Sequence, residues 1–268
     1  MVDFTKQMKR EYTILCPDIF PMHMGLFEQI FRNNGYKLEV VRDEGKEVID
    51  AGLKYIHNDM CYPAICSCGQ LIYALESGRY DVHKTALIFF QTGGGCRASN
   101  YIFLLRKALE EMGLSFVPVI SVSFAGLEKY SGFKLTLPML LSGFASIVYG
   151  DMLMLLKNQV EPYETNKGDT EKVTQKWLAT LSDGFKRKTG FSKKKTLKNL
   201  SAIAKDFHEI PKTPKNLVKV GIVGEIYVKY SPLGNNDLQK FLESQDCEVN
   251  FPGLMGFVQY CAFNMGED

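Results

Sequence analysis

The sequence predicts an α/β protein: a doubly wound parallel-sheet (flavodoxin- or Rossmann-like) domain, a helical middle segment and the start of a second α/β lobe. Three observations carry this expectation. Short apolar runs of strand length alternate with amphipathic helical stretches up to about residue 130, the mark of a parallel sheet. From Leu135 to Asp206 only helical periodicity remains. From Val218 a strand, a helix and a further strand recur. The expected segments are 1–130, an α/β domain carrying Cys61 and Cys96; 131–210, helical; and 211–268, a partial second α/β domain.

The elements follow in order. Tyr12 to Cys16 reads as the first strand, with Pro17 and Pro21 marking a loop. A helix from about Met24 to Asn33 turns Leu26, Phe27, Ile30 and Phe31 inward. Leu38 to Val41 is a short strand, and Lys46 to Ile56 is helical. Pro63 suits the first turn of a helix that runs to about Ser77, with Gly78 as its stop. Thr85 to Phe90 is a continuous apolar strand. After it come Gln91 and a glycine loop, Thr92-Gly93-Gly94-Gly95-Cys96-Arg97, then a helix from Tyr101 to Met112 with Gly113 at its C-cap. Val117 to Val122 is the next strand. Leu135 to Leu156 is largely apolar, but Gly143, Tyr149, Gly150 and Asp151 interrupt it as a membrane span. Thr170–Lys188 and Lys194–Phe207 read as amphipathic helices. Val218 to Glu225 opens the second strand–loop unit, Asn235 or Asn236 is placed to cap a helix with Leu238, Phe241 and Leu242, and Glu248 to Phe251 is a strand.

Composition narrows the function classes. The chain has 268 residues, 46% hydrophobic and 23% charged, as ordinary globular proteins do. A formal net charge of +2 argues for neither nucleic acid nor a membrane surface. The basic run from Lys186 to Lys195 reads as a solvated helix end. The first ten residues lack a signal-peptide core, so a reducing, cytoplasmic location is the default. There, seven cysteines (Cys16, Cys61, Cys66, Cys68, Cys96, Cys247 and Cys261) point to metal binding, reactivity or simple burial rather than disulfides.

The glycine loop concentrates the chemistry. In open α/β sheets ligands bind beyond the carboxyl ends of the strands, at helix N-termini. Gly93, Gly94 and Gly95 free the backbone to approach a ligand, and Cys96 sits where a helix dipole favours thiolate. Cys61 stands just before its own helix in the same way. If their strands are neighbours, the two sulfurs converge. Such a pair suits a soft metal or an iron–sulfur cluster; equally, both cysteines can be small buried apolar residues. Cys66 lies one turn beyond Cys61 and can reach the same crevice, Cys16 points to its rim, and Cys68 falls on the apolar face as core. Arg97 can neutralise an anionic cluster, hold a phosphate or simply be solvated. No Walker loop, G-x-S-x-G or G-x-G-x-x-G is present, and the four histidines form no spaced ligand set.

Four stretches together resemble a known family: Gly52-Leu53-Lys54-Tyr55 with Asn58-Asp59-Met60-Cys61-Tyr62-Pro63; Gln91 through Tyr101; Pro162-Tyr163-Glu164; and Val223-Gly224-Glu225-Ile226 with Lys229, Pro232 and Asn235-Asn236. They resemble the dehydratase-like region of the 2-hydroxyglutaryl-CoA dehydratase activator-related proteins, which belongs with the 2-hydroxyacyl-CoA dehydratase subunits and the double-cubane cluster proteins. The resemblance implies an oxygen-sensitive iron–sulfur protein (4Fe-4S or double-cubane type) that receives low-potential electrons from an ATP-hydrolysing activase. In true dehydratases one such electron makes a ketyl radical from a 2-hydroxyacyl-CoA. By motif, Cys61 and Cys96 would be cluster ligands. The family uses three cysteines per cluster, and the third is expected either at Cys66 or in a part of the second lobe outside this sequence. Glu161 departs from the pattern, in which arginine precedes Pro162. No nucleotide is expected on this chain. The expected partner is an activase, separate or fused in a longer chain; a homodimer is compatible, and neither nucleic acid nor membrane is expected. Two rivals stand beside this: a cysteine-nucleophile enzyme using Cys96, and a non-catalytic scaffold domain of a larger activase-related protein.

Overall fold

A computed structural model of the chain describes residues 2–91, 96–123 and 130–264. Its elements in order are α1 (Lys6–Glu11), β1 (Thr13–Pro17), α2 (Pro21–Asn33), β2 (Lys37–Val41), α3 (Lys46–Tyr55), α4 (Tyr62–Glu76), β3 (Thr85–Gln91), α5 (Tyr101–Glu111), β4 (Val119–Ser123), α6 (Leu137–Val160), α7 (Asp169–Lys186), α8 (Lys193–His208), β5 (Val218–Gly221), α9 (Ile226–Tyr230), α10 (Pro232–Asn235), α11 (Leu238–Ser244), β6 (Cys247–Asn250) and α12 (Leu254–Asn264). The protein is mixed α/β. It divides into two compact units that interleave along the chain: 1–19, 31–135 and 230–236 form one, and 20–30, 136–229 and 237–268 the other.

The first unit holds a four-stranded, all-parallel sheet in the order β2-β1-β3-β4. The chain therefore moves outward from β1 to β2, then returns to the other side of β1 for β3 and β4. The register sets Thr13 beside Lys37 and Thr85, and Leu87 beside Val119. Continuous burial along β3 explains why its sequence is an unbroken apolar run. Leu15, Leu71, Leu87 and Leu105 come from β1, α4, β3 and α5 into one core. The hydrophobic effect contributes about 1.5–3 kcal/mol for each such fully buried side chain.

Helix α4 is buried on nearly all sides: eleven of its fifteen residues, including Ile65, Cys66, Cys68 and Leu71, are inaccessible. Two glycines let it lie against α3. A Cβ on Gly52 would collide with the Ile65 carbonyl, and one on Gly69 with the Val48 carbonyl. Close backbone approach is the reason for glycine at both places, and it fixes the position of the α4 N-terminus.

The second unit is mostly helical, built on α6, α7 and α8 with the two-stranded parallel sheet β5-β6. Helix α6 runs without a break through Gly143, Gly150 and Asp151. By length and composition, Leu137 to Tyr163 is apolar enough to cross a membrane; 44% of its most apolar window is buried inside the protein. The residues expected to interrupt it have packing roles instead. Gly150 lies against the His23 ring, which a Cβ would strike. Asp151 Oδ1 accepts from His23 Nε2 at 2.9 Å and from the Leu254 amide at 2.7 Å, and its Oδ2 accepts from the Met255 amide at 2.8 Å. Burial alone would raise the Asp151 carboxyl, but the His23 bond and the two amides hold it below its ordinary value. Asp151 thus holds the start of α12.

Neither Asn235 nor Asn236 caps α11. Asn235 ends α10, Asn236 adopts the left-handed region at φ 55°, and Asp237, also at φ 55°, occupies the N-cap of α11.

Candidate functional site

The site is a pair of cysteine-bearing loops in the first unit. Cys61 is the N-cap residue of α4, with an extended backbone (φ −64°, ψ 145°) and Pro63 in the first turn. Its carbonyl accepts the Ala64 amide at 2.9 Å. Its side chain makes no capping bond. The sulfur instead lies 2.8 Å from the Tyr101 hydroxyl, at the first residue of α5.

Cys96 also precedes a helix. It is the N-cap of a 3-10 turn, Arg97–Asn100, that leads directly into α5. Here the sulfur does cap, accepting the Ala98 amide at 3.4 Å, while Ser99 Oγ donates to the Cys96 carbonyl at 2.7 Å. Cys96 is exposed, whereas Cys61 is half-buried.

Two side chains tie the loops together. Arg97 Nη1 donates to the Asp59 carbonyl at 2.8 Å, and the Tyr101 hydroxyl meets Cys61. The far side of the loop is held by Gln91, whose Nε2 donates to the Ser99 carbonyl at 2.8 Å and whose Oε1 accepts from Ser121 Oγ at 3.0 Å. The Tyr101 ring packs edge-on against Phe89 of β3, with centroids 5.7 Å apart. Burial first, then the Cys61 bond, then the charges of Cys61, Cys96 and Cys68 push the Tyr101 hydroxyl far above its ordinary value. The phenol therefore keeps its proton, and either it or the Cys61 thiol can be the donor in the contact between them.

The expected site residues fare differently. Cys61 and Cys96 both lie within electrostatic reach of one hydroxyl. Cys66 does not join them. It is fully buried, and burial pushes its thiol up to about 11 against the opposing effect of the nearby Tyr62 hydroxyl. Cys68 is the α4 thiol coupled to Cys61: burial, then the Cys61 charge, push it up to about 12. Two helical turns separate positions 61 and 68, so they share a face, whereas position 66 does not. Cys16 is buried on β1, where its sulfur approaches the Pro17 carbonyl at 3.7 Å, and Cys247 is half-buried at the start of β6. Arg97 contacts a carbonyl rather than an anion. Gly93, Gly94 and Gly95 lie outside the described residues.

Sequence reasoning missed Tyr101 as a polar partner. The available signal was its place one helical turn after the Cys96 motif, at the head of α5. Among the described residues no group of three or more His, Cys, Asp or Glu side chains is arranged to hold a metal ion. The fit to a cluster is therefore partial: two thiols stand at helix starts, and the described residues do not complete a set of three. No hydrogen bond joins a histidine to either thiol among the described residues, and His57 Nδ1 accepts the Asp59 amide at 3.2 Å.

Comparison of the chain with family models, with curated proteins and with solved structures returns no match.

Proposed function

We propose that this chain is an iron–sulfur-binding, dehydratase-like redox component on a flavodoxin-like sheet, with Cys61 and Cys96 as cluster ligands. The observation that carries the reading is the tethering of both cysteine loops by Tyr101 and Arg97. Two thiols at helix starts, one of them hydrogen-bonded to a phenol, suit an electron-rich soft centre. The motif resemblance supports the same reading and supplies its partner, a cytoplasmic ATP-hydrolysing activase that delivers low-potential electrons.

A cluster at this place would carry the electron. The chain's own residues would hold it: Cys61 and Cys96 as the sulfur ligands, Tyr101 hydrogen-bonded to Cys61, and Arg97 as the strut that keeps the loops together. The test is anaerobic purification followed by iron and acid-labile sulfide analysis. The reading expects a brown protein that contains both. A colourless, iron-free chain after anaerobic reconstitution rejects it.

One observation favours a second reading, a cysteine nucleophile. The Cys96 sulfur is exposed, where an electrophile can reach it, and is held in place by a backbone amide at a helix start. Rapid, stoichiometric alkylation of Cys96 in metal-free protein at neutral pH, with Cys61 untouched, would support that reading.

A further inference from the structure

The β5-β6 sheet of the second unit stands apart from the usual rule for parallel strands. Parallel sheets ordinarily contain several strands and lie buried under helices on both faces. Here β5 pairs only with β6 among the described residues, from Val218 beside Cys247 to Gly221 beside Asn250. Its start is open on both faces: Val218 is 67% exposed and Lys219 is exposed, while Val220 is half-buried; Val223 just beyond the strand is 75% exposed.

The backbone gives the free edge a definite pattern. Ile222 N–H donates to the Asn250 carbonyl at 2.9 Å, toward β6. Strand groups alternate in direction, so the N–H and C=O of Lys219 and Gly221 face the other way. An edge of this kind is a template for another strand.

Charge defines what kind of strand it suits. On the sheet face that carries Lys219 and Glu248 lies an open cleft of about 420 Å³, lined by Tyr163, Lys212, Thr213, Lys215, Lys219 and Glu248 among others. Glu248 is the one acid in that lining, and it is already engaged by Lys219 at 3.1 Å and by the Tyr163 hydroxyl at 2.7 Å. Lys212 Nζ donates to three carbonyls, of Phe207, His208 and Ile210, and Lys215 Nζ to the Pro162 carbonyl. The carbonyls at the end of α8 offset part of the Lys212 charge, but three lysines against one carboxylate still leave the cleft net positive.

We propose that β5 is a strand-addition site for an extended, acidic segment of a partner protein. Its backbone pairs with Lys219 and Gly221, its apolar side chains cover Val218, and its carboxylates face Lys212 and Lys215. Main-chain pairing supplies affinity in this mode and the flanking side chains supply selectivity. The site is independent of the thiol loops.

The probe is a short, fluorescently labelled peptide of alternating glutamate and valine, compared with its lysine-for-glutamate counterpart. Fluorescence anisotropy measures binding, and amide hydrogen exchange locates it. The acidic peptide is expected to bind saturably, to protect the Lys219 and Gly221 amides, and to bind about tenfold tighter than the basic one. Lys215→Glu should narrow that preference. Gly221→Pro removes an outward donor and no bond to β6, so it should abolish binding while leaving the thermal melt in place. Equal affinity for the two peptides, unprotected β5 amides at saturation, or failure of the acidic peptide to bind would overturn the proposal. So would self-association of the chain that Gly221→Pro abolishes, which would give the edge to a second copy.

Discussion

Cys61 and Cys96 occupy the same position in sequence grammar, each just before a helix in the sheet-bearing unit, yet they are different thiols. Cys61 is half-buried at the head of a fifteen-residue helix that close-packed glycines lock against α3, and its sulfur meets a phenol. Cys96 is exposed on a four-residue 3-10 turn, and its sulfur meets a backbone amide. A helix start alone therefore does not define a thiol's chemistry. The packing behind it decides whether the sulfur is rigid and shielded or open and reactive.

The largest test of this difference is at its structural root. Gly69→Ala sets a methyl against the Val48 carbonyl, so α4 must move away from α3. A loss of about 1–3 kcal/mol is expected from such overpacking, measured by urea denaturation. If stability is unchanged, α4 is not locked and the contrast fails at its source.

Native-state alkylation followed by mass spectrometry ranks the thiols next. Cys96 should react first and Cys61 more slowly, while Cys66 and Cys68 stay silent until the chain unfolds. Comparable rates at Cys96 and Cys68 would erase the distinction.

Alkaline pH offers a third test. Burial raises Cys66 to about 11 and Cys68 to about 12 from an ordinary 9.0. The folded state thus holds protons that the unfolded chain releases above pH 9, so this contribution to stability is whole below that pH and is lost as pH rises toward the folded values. Each thiol gives a slope of at most about 1.4 kcal/mol per pH unit. Denaturation midpoints should fall between pH 9 and 11, and less steeply in Cys68→Ala. Identical slopes would place that thiol outside the linkage.

The smallest effect belongs to the link itself. Tyr101→Phe removes the hydroxyl from Cys61 and should lower stability by about 1 kcal/mol, while shifting the alkylation rate of Cys61 and leaving that of Cys96 alone. An unaltered Cys61 rate would show the contact to be without chemical consequence.

Much of the first unit was legible in the sequence. Apolar runs placed β1 to β4 within a residue or two, and Pro63 and Gly78 bracketed α4 correctly, because these signals are local. The ligand geometry was less legible. The spacing of seven puts positions 61 and 68 on one face, but in a helix buried on nearly every side that face is also apolar core, so Cys68 read as packing and the less apolar side carrying Cys66 read as the way to the crevice. The meeting of Cys61 with Tyr101 joins residues 40 apart in the chain and has no local signature. In the second unit, Gly150 and Asp151 read as interruptions because their partners, His23 and the start of α12, lie more than a hundred residues away in the chain.

The most direct test of the proposed centre sets three single variants, Cys61→Ser, Cys96→Ser and Cys66→Ser, beside the parent chain, all reconstituted anaerobically and assayed for bound iron and sulfide. The account predicts that Cys61→Ser and Cys96→Ser each lose the bound iron while Cys66→Ser retains the parent's content. Iron that survives in either of the first two, or that disappears only with Cys66, would contradict it.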